Sequence, residues 1–224
     1  MKKLVFDSSS LISLSEKCFV NVLGKLAEQK NIEFFIPKHV LEETVNNPIK
    51  IKKFGLNAIR IRTAINNGWI KVAKQKNTEK LAQKIAEITT NICYAQNTPM
   101  EIIHRGEIEA LALTKTLQAD ALIIDERTTR MLIEEPQNLL KLLEFRTGKK
   151  IKFDQRKVFE VQKIAGRMGI LRSSEIIAIA YEKNCFVNEL EHTKASLKAA
   201  LFSVKYAGCA VTEKEIEEYL KGIR

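Results

Sequence analysis

Residues 44–78 contain no aspartate or glutamate, in a 224-residue chain that carries 27 acids in all. Eight cations fill that gap: Lys50, Lys52, Lys53, Arg60, Arg62, Lys71, Lys74 and Lys76. A second basic run, Arg146, Lys149, Lys150, Lys152, Arg156 and Lys157, is broken only by Asp154. Such blocks are either solvated surface or contacts for a polyanion, and with a formal net charge of +10 they suit nucleic acid. Cysteine is scarce as well. Cys18, Cys93, Cys185 and Cys209 lie too far apart for a disulfide scaffold or a zinc knuckle and read as reduced core residues. The three histidines, His39, His104 and His192, are equally scattered and give no support to a histidine-based metal site or triad. No apolar run approaches the roughly 18 residues of a membrane span. The apolar N-terminus breaks at Asp7, too early for the core of a signal peptide, so a cytoplasmic protein without a membrane partner is expected. Repeats and low-complexity linkers are lacking too, and 45% hydrophobic with 29% charged residues suits one sizeable α/β core.

What is present alternates between strand and helix. Lys3 to Phe6 is a short apolar strand that stops at Asp7, followed by Ser8-Ser9-Ser10 and the apolar Leu11-Ile12. Asp7 alone reads equally well as the N-cap of the following helix. Ile32 to Ile36, stopped by Pro37, is a second strand; Trp69 to Val72 a third; Ala119 to Arg127 the clearest of all; and Lys150 to Phe153 a last candidate. Between them, Leu11 to Leu26, Val40 to Val45, Glu79 to Cys93, the segment from Gly106, and Thr128 to Leu143 with a fresh turn at Pro136 carry helical patterns. Ile51, Phe54, Ala58, Ile61 and Ile65 follow a helical spacing that places Lys50, Lys53, Asn57 and Arg60 together on another face. Helices are also expected over Val158 to Lys183, broken near Gly166 and Gly169, over Asn188 to Tyr206, and over Glu213 to Gly222. The acids that end apolar segments or open helices amount to four carboxylate sites that a parallel sheet could gather at its carboxyl edge.

Four motifs now stand in order: Val5-Phe6-Asp7-Ser8-Ser9-Ser10-Leu11-Ile12, Pro37-Lys38-His39-Val40-Leu41-Glu42-Glu43, Gly106-Glu107-Ile108-Glu109-Ala110-Leu111-Ala112-Leu113, and Ala119-Asp120-Ala121-Leu122-Ile123-Ile124-Asp125-Glu126-Arg127. Together, in sequence and spacing, they resemble the four motifs of PIN-domain nucleases. The closing segment, residues 197–223 with its Gly208 to Glu213 turn, is similar to the C-terminus of a prokaryotic branch of that family. The resemblance implies a three-layer α/β/α fold around a parallel sheet of four to five strands, with a PIN-like nuclease domain over residues 1–155 and a helical part over 156–224 packed on it. It further implies hydrolysis of RNA with one or two Mg²⁺ or Mn²⁺ ions. Carried over residue by residue, Asp7, Glu43 and Glu107 are the first three metal-binding and catalytic acids, and Ser9 is the hydroxyl that supports the first. The fourth falls on Asp125 or Glu126: the family places it just before an arginine, which selects Glu126, although Ile124 replaces the usual threonine and Asp125 is one residue away. Glu109, two residues beyond Glu107, would face some 200° away on a helix and is secondary.

Gathered carboxylates repel one another, and a fold that collects them without balancing arginines usually holds a hard divalent cation. The expected RNA contacts are Lys50, Lys53, Arg60, Arg62 and Arg127. Two rivals remain. An aspartate-phosphorylating phosphatase would need an acid where this chain has Ser9, and a non-catalytic PIN-like RNA-binding or interaction module is favoured by the missing threonine. A homodimer, an antitoxin and an RNA-processing partner are all open as protein contacts.

Overall fold

The structure, a computed structural model, describes residues 1–186 and 190–222. Lys2–Phe6 (β1) is followed by Ser8–Glu16 (α1), Val20–Lys30 (α2), Ile32–Ile36 (β2) and Lys38–Leu41 (α3). A π-helical turn, Glu42–Asn46, and a 3₁₀ turn, Pro48–Lys50, lead to Gly55–Asn66 (α4), Ile70–Val72 (β3) and Thr78–Thr90 (α5). Then come Cys93–Ala95 (β4), Thr98–Met100 (β5), Arg105–Thr116 (α6), Ala121–Ile123 (β6), Arg127–Glu134 (α7) and Pro136–Thr147 (α8). Ile151–Phe153 (β7), Gln155–Ala165 (α9), Gly169–Leu171 (β8), Ser173–Glu182 (α10), Lys194–Tyr206 (α11) and Glu213–Gly222 (α12) complete the order. Asn188 and Ile223, where expected segments begin or end, lie outside the described residues.

Five strands form a parallel sheet in the order β3-β2-β1-β6-β8, with Leu4 opposite both Phe34 and Ala121. Successive strand residues face opposite layers, so the sheet feeds two cores. Leu4, Phe6, Phe34, Ile36 and Ile123 pack with α1, α2, α4 and the helices α10 to α12. Val5, Leu122 and Ile124 pack with α5 to α9 on the other side. This is the three-layer arrangement. The sheet crosses the expected boundary at residue 155, because β8 lies beyond it and pairs with β6.

Several local readings are corrected. Gly169 does not only break a helix; it opens β8, where its missing Cβ lets the strand approach Ala121 Cβ and Asp120 O, each 3.3 Å from where a Cβ would stand. Lys150 to Phe153 is not a strand of the main sheet, since β7 joins β4 and β5 in a separate antiparallel one. Gln96 and Asn97, both at positive φ, close the β4–β5 hairpin. The helix expected from Ile51 starts only at Gly55, after Pro48 has set a single 3₁₀ turn. Ala58, Ile61 and Ala64 therefore face the core, while Ile51 and Phe54 are exposed together with Leu56 and Ile59. Lys50 and Lys53 precede the helix and share no helical face with Asn57 and Arg60.

Candidate active site

Chain order reverses direction at β1, which has β2 on one side and β6 on the other, so the crevice at the carboxyl ends of β1 and β6 is where such a sheet places its chemistry. Asp7 stands there. Its N–H bonds Ile123 O at 2.9 Å, continuing the ladder, and the residue is 2% exposed. It caps α1: Oδ2 accepts from Ser9 N at 3.0 Å and from Ser9 Oγ at 2.7 Å. Ser9 Oγ also accepts from Asp125 N at 3.1 Å, so one hydroxyl ties the ends of β1 and β6 together.

Glu43 reaches the crevice from the π-helical turn, a wider coil that is rare and often found at functional positions. Its Oε2 accepts from Ser8 Oγ, and its Oε1 pairs with His39 Nε2 at 3.1 Å. A Cβ on Gly106 would come within 2.5 Å of Glu43 Oε2, so the carboxylate occupies the room that glycine leaves at the start of α6. The next residue, Glu107, is 6% exposed. Its Oε2 accepts from His104 N at 3.0 Å and from Thr129 Oγ1 at 2.6 Å.

After β6 the two candidate acids part. Glu126 caps α7, taking Thr128 N and, at 3.1 Å, Thr129 N on Oε2, and so shares Thr129 with Glu107. Asp125, 1% exposed, turns to α10 and bonds Ser173 N and Ser173 Oγ, each at 2.7 Å. Glu109 is directed to His39 N at 3.2 Å and Arg105 Nε at 3.1 Å.

The electrostatics record the crowding. Burial raises the Asp7 carboxyl above its ordinary range against the Ser9 hydrogen bonds, and Glu43 adds to the rise. Burial pushes Glu107 up to about 7 against the Thr129 bond, with Asp7 and Glu126 adding to the rise. Repulsion therefore links Glu43 to Asp7, Asp7 to Glu107 and Glu126 to Glu107. Each acid is bonded to a protein donor, and among the described residues no three His, Cys, Asp or Glu groups stand together as a ready-made metal set.

The expected cations are spread out. Arg127, at the start of α7 beside Glu126, is exposed and lines a surface cavity of about 340 Å³ with Arg130, Glu134 and Glu215. Arg60 is turned to Ser15 O and Asn57 Oδ1, both at 3.3 Å, whereas Lys50, Lys53 and Arg62 are exposed. Lys38, Lys74, Lys76 and Arg105 line a cleft of about 840 Å³ that includes His39, the partner of Glu43. Sequence reasoning missed Ser8, Gly106 and Thr129. The first two lay inside quoted motifs, and Thr129 had only its position three residues after a helix-capping acid to mark it.

The PIN-domain family model matches residues 3–137 of this chain. No curated protein and no solved structure matches it. Among the described residues no helix is long and apolar enough to cross a membrane.

Proposed function

The chain belongs to the PIN-domain family, whose members are generally nucleases, and from that membership we propose that it is a divalent-metal-dependent endoribonuclease acting in the cytoplasm. The observation that carries the reading is the burial of Asp7 and Glu107 at the crevice beside β1 and β6, where burial raises both carboxyls, Glu43 adds to the rise of Asp7, and Asp7 and Glu126 add to that of Glu107. Mg²⁺ or Mn²⁺, when bound, would neutralise charge on the phosphodiester and supply the activation of water that the hydrolysis requires. Asp7, Glu43 and Glu107 would hold it, with Glu126 as the fourth acid. Oxygens that accept neither the Ser9 nor the Thr129 bond, Oδ1 of Asp7 and Oε1 of Glu107, are suited to face a cation. Ser9 would keep Asp7 in place, and Ser8 and His39 would orient Glu43. RNA would lie against the cleft cations Lys38, Lys74 and Lys76, with Lys50, Lys53, Arg60, Arg62 and Arg127 as further contacts. A homodimer, an antitoxin or a processing partner would use surfaces outside the crevice.

One observation favours a second reading, a non-catalytic PIN-like RNA-binding module: Glu126 uses Oε2 to cap α7, and Asp125 is directed to α10. Cleavage separates the two. The purified chain is expected to cut single-stranded RNA only with Mg²⁺ or Mn²⁺ present, and Asp7→Asn to abolish the cutting while RNA binding persists. Cleavage that survives excess chelator overturns the metal mechanism, and binding without any cleavage selects the module.

A further inference from the structure

Asp125 is the acid that the crevice does not use. Its two oxygens accept from the N–H and the hydroxyl of Ser173, the fully buried first residue of α10. A helix N-terminus offers unpaired N–H groups and the positive end of its dipole, so a carboxylate seated there is accommodated without a cation. The backbone of Asp125 reaches the other way, donating to Ser9 Oγ at 3.1 Å. A hydroxyl carries one proton. With the Asp125 amide filling an acceptor position on Ser9 Oγ, that proton is directed to Asp7 Oδ2 at 2.7 Å.

The N-terminus of α10 is itself anchored. Arg172 precedes Ser173, is 6% exposed, and bonds Glu175 through Nε and Nη2. Its Nη1 reaches Ala210 O and Glu215 Oε1, both at 2.9 Å, and its Nη2 reaches Tyr219 Oη at 3.3 Å. The last helix, α12, therefore grips the residue beside Ser173.

We infer that Ser173 is a positioning residue for the acid site: it fixes Asp125 at the end of β6, the Asp125 amide orients the Ser9 hydroxyl, and Ser9 sets the Asp7 carboxylate. Arg172 and α12 hold the start of α10 in place. The inference rests on the metal-dependent reading for the role of Asp7, and it removes Asp125 from the ligand set.

The test is Mn²⁺ affinity by titration calorimetry on the chelator-stripped full chain, read beside the metal-free melting temperature. Asn at position 125 can accept from Ser173 N–H and donate to Ser173 Oγ, so Asp125→Asn is expected to bind Mn²⁺ within about threefold of wild type, whereas a ligand stripped of its charge loses about tenfold or more. Ser173→Ala should weaken Mn²⁺ by about tenfold, the scale on which outer partners of metal ligands act. A purely structural serine would lower the melting temperature and leave that affinity unchanged, and wild-type affinity in folded Ser173→Ala overturns the inference. Should that variant fail to fold, Glu215→Gln, which loosens the grip on Arg172, is expected to weaken Mn²⁺ by about threefold; no change overturns the inference equally. A tenfold loss in Asp125→Asn defeats the positioning role while leaving the nuclease reading intact. Unchanged Mn²⁺ binding in Asp7→Asn defeats the nuclease reading itself, and the positioning role with it.

Discussion

Gly106 lacks a side chain where Glu43 needs space. Alanine inside a helix ordinarily stabilises it by about 0.5–1 kcal/mol over glycine. At Gly106 the φ angle is not of the left-handed kind, so the backbone would accept alanine. The new methyl would instead meet Glu43 Oε2 and push the carboxylate away from Ser8 and His39. Since that neighbour is the end of a flexible chain, the fold yields easily and the site does not. Gly106→Ala is expected to melt at or above the wild-type temperature and to lose metal-dependent cleavage by about tenfold or more, because small misplacements of reacting groups have large kinetic effects. Circular dichroism melts beside a cleavage assay check both halves. Full activity would mean that the placement of Glu43 is immaterial.

Among the elements, those with the steepest sequence contrast were legible. β1, β2 and β6 are apolar runs ended by an acid or a proline; β1 and β2 lie within one residue of the bounds the sequence predicts, whereas β6 closes at Ile123, four residues before the expected end at Arg127. The strands β4, β5 and β8 were not legible: β4 takes its place from β7 and β8 from β6, partners distant in sequence, and β5 pairs only with β4. The α4 region shows the opposite error, where a sound helical spacing was extended backwards through Phe54 although Pro48 and Gly55 punctuate it. At the site, Asp7, Glu43 and Glu107 were legible from motifs. The divergence of Asp125 from Glu126 was not, because it depends on the N-terminus of α10, some fifty residues away. The acid-free run changes meaning accordingly: its end, Lys74 and Lys76, lines the cleft that His39 joins to Glu43. Lys74→Glu with Lys76→Glu is expected to flatten the dependence of log affinity for single-stranded RNA on log salt by roughly 1.4, taking about 0.7 per phosphate contact. An unchanged slope in filter binding across a salt series would return both lysines to solvated surface.

For the whole molecule, crowded acids make stability depend on pH and on metal in linked ways. Glu107 has its folded pKa raised from 4.5 to about 7, so the folded state holds that proton more tightly than the unfolded chain. The resulting stability is complete below the unfolded value and is lost as pH rises from about 4.5 to about 7; it amounts to about 3 kcal/mol at roughly 1.4 kcal/mol per unit. Asp7, also raised, works in the same direction. Glu175 and Glu215 oppose them, being lowered despite burial, Glu175 by its bonds to Arg172 and Glu215 by its bonds to Thr212 and then to Arg172, but carboxylates of lowered pKa lose their stabilisation only in more acidic solution. Between pH 5 and 7 the chelator-treated chain should therefore melt lower as pH increases, and Glu107→Gln should flatten that decline. Mn²⁺ competes with protons for the same oxygens and binds only the folded state, so millimolar metal should raise the melting temperature most at the top of this range and reverse the trend. Asp7→Asn should lose most of the metal-induced rise. If wild type and Glu107→Gln give superimposable metal-free profiles, Glu107 is not a crowded acid. If metal lifts Asp7→Asn as far as wild type, Asp7 is not a ligand but the cap of α1, standing in a crevice with other acids.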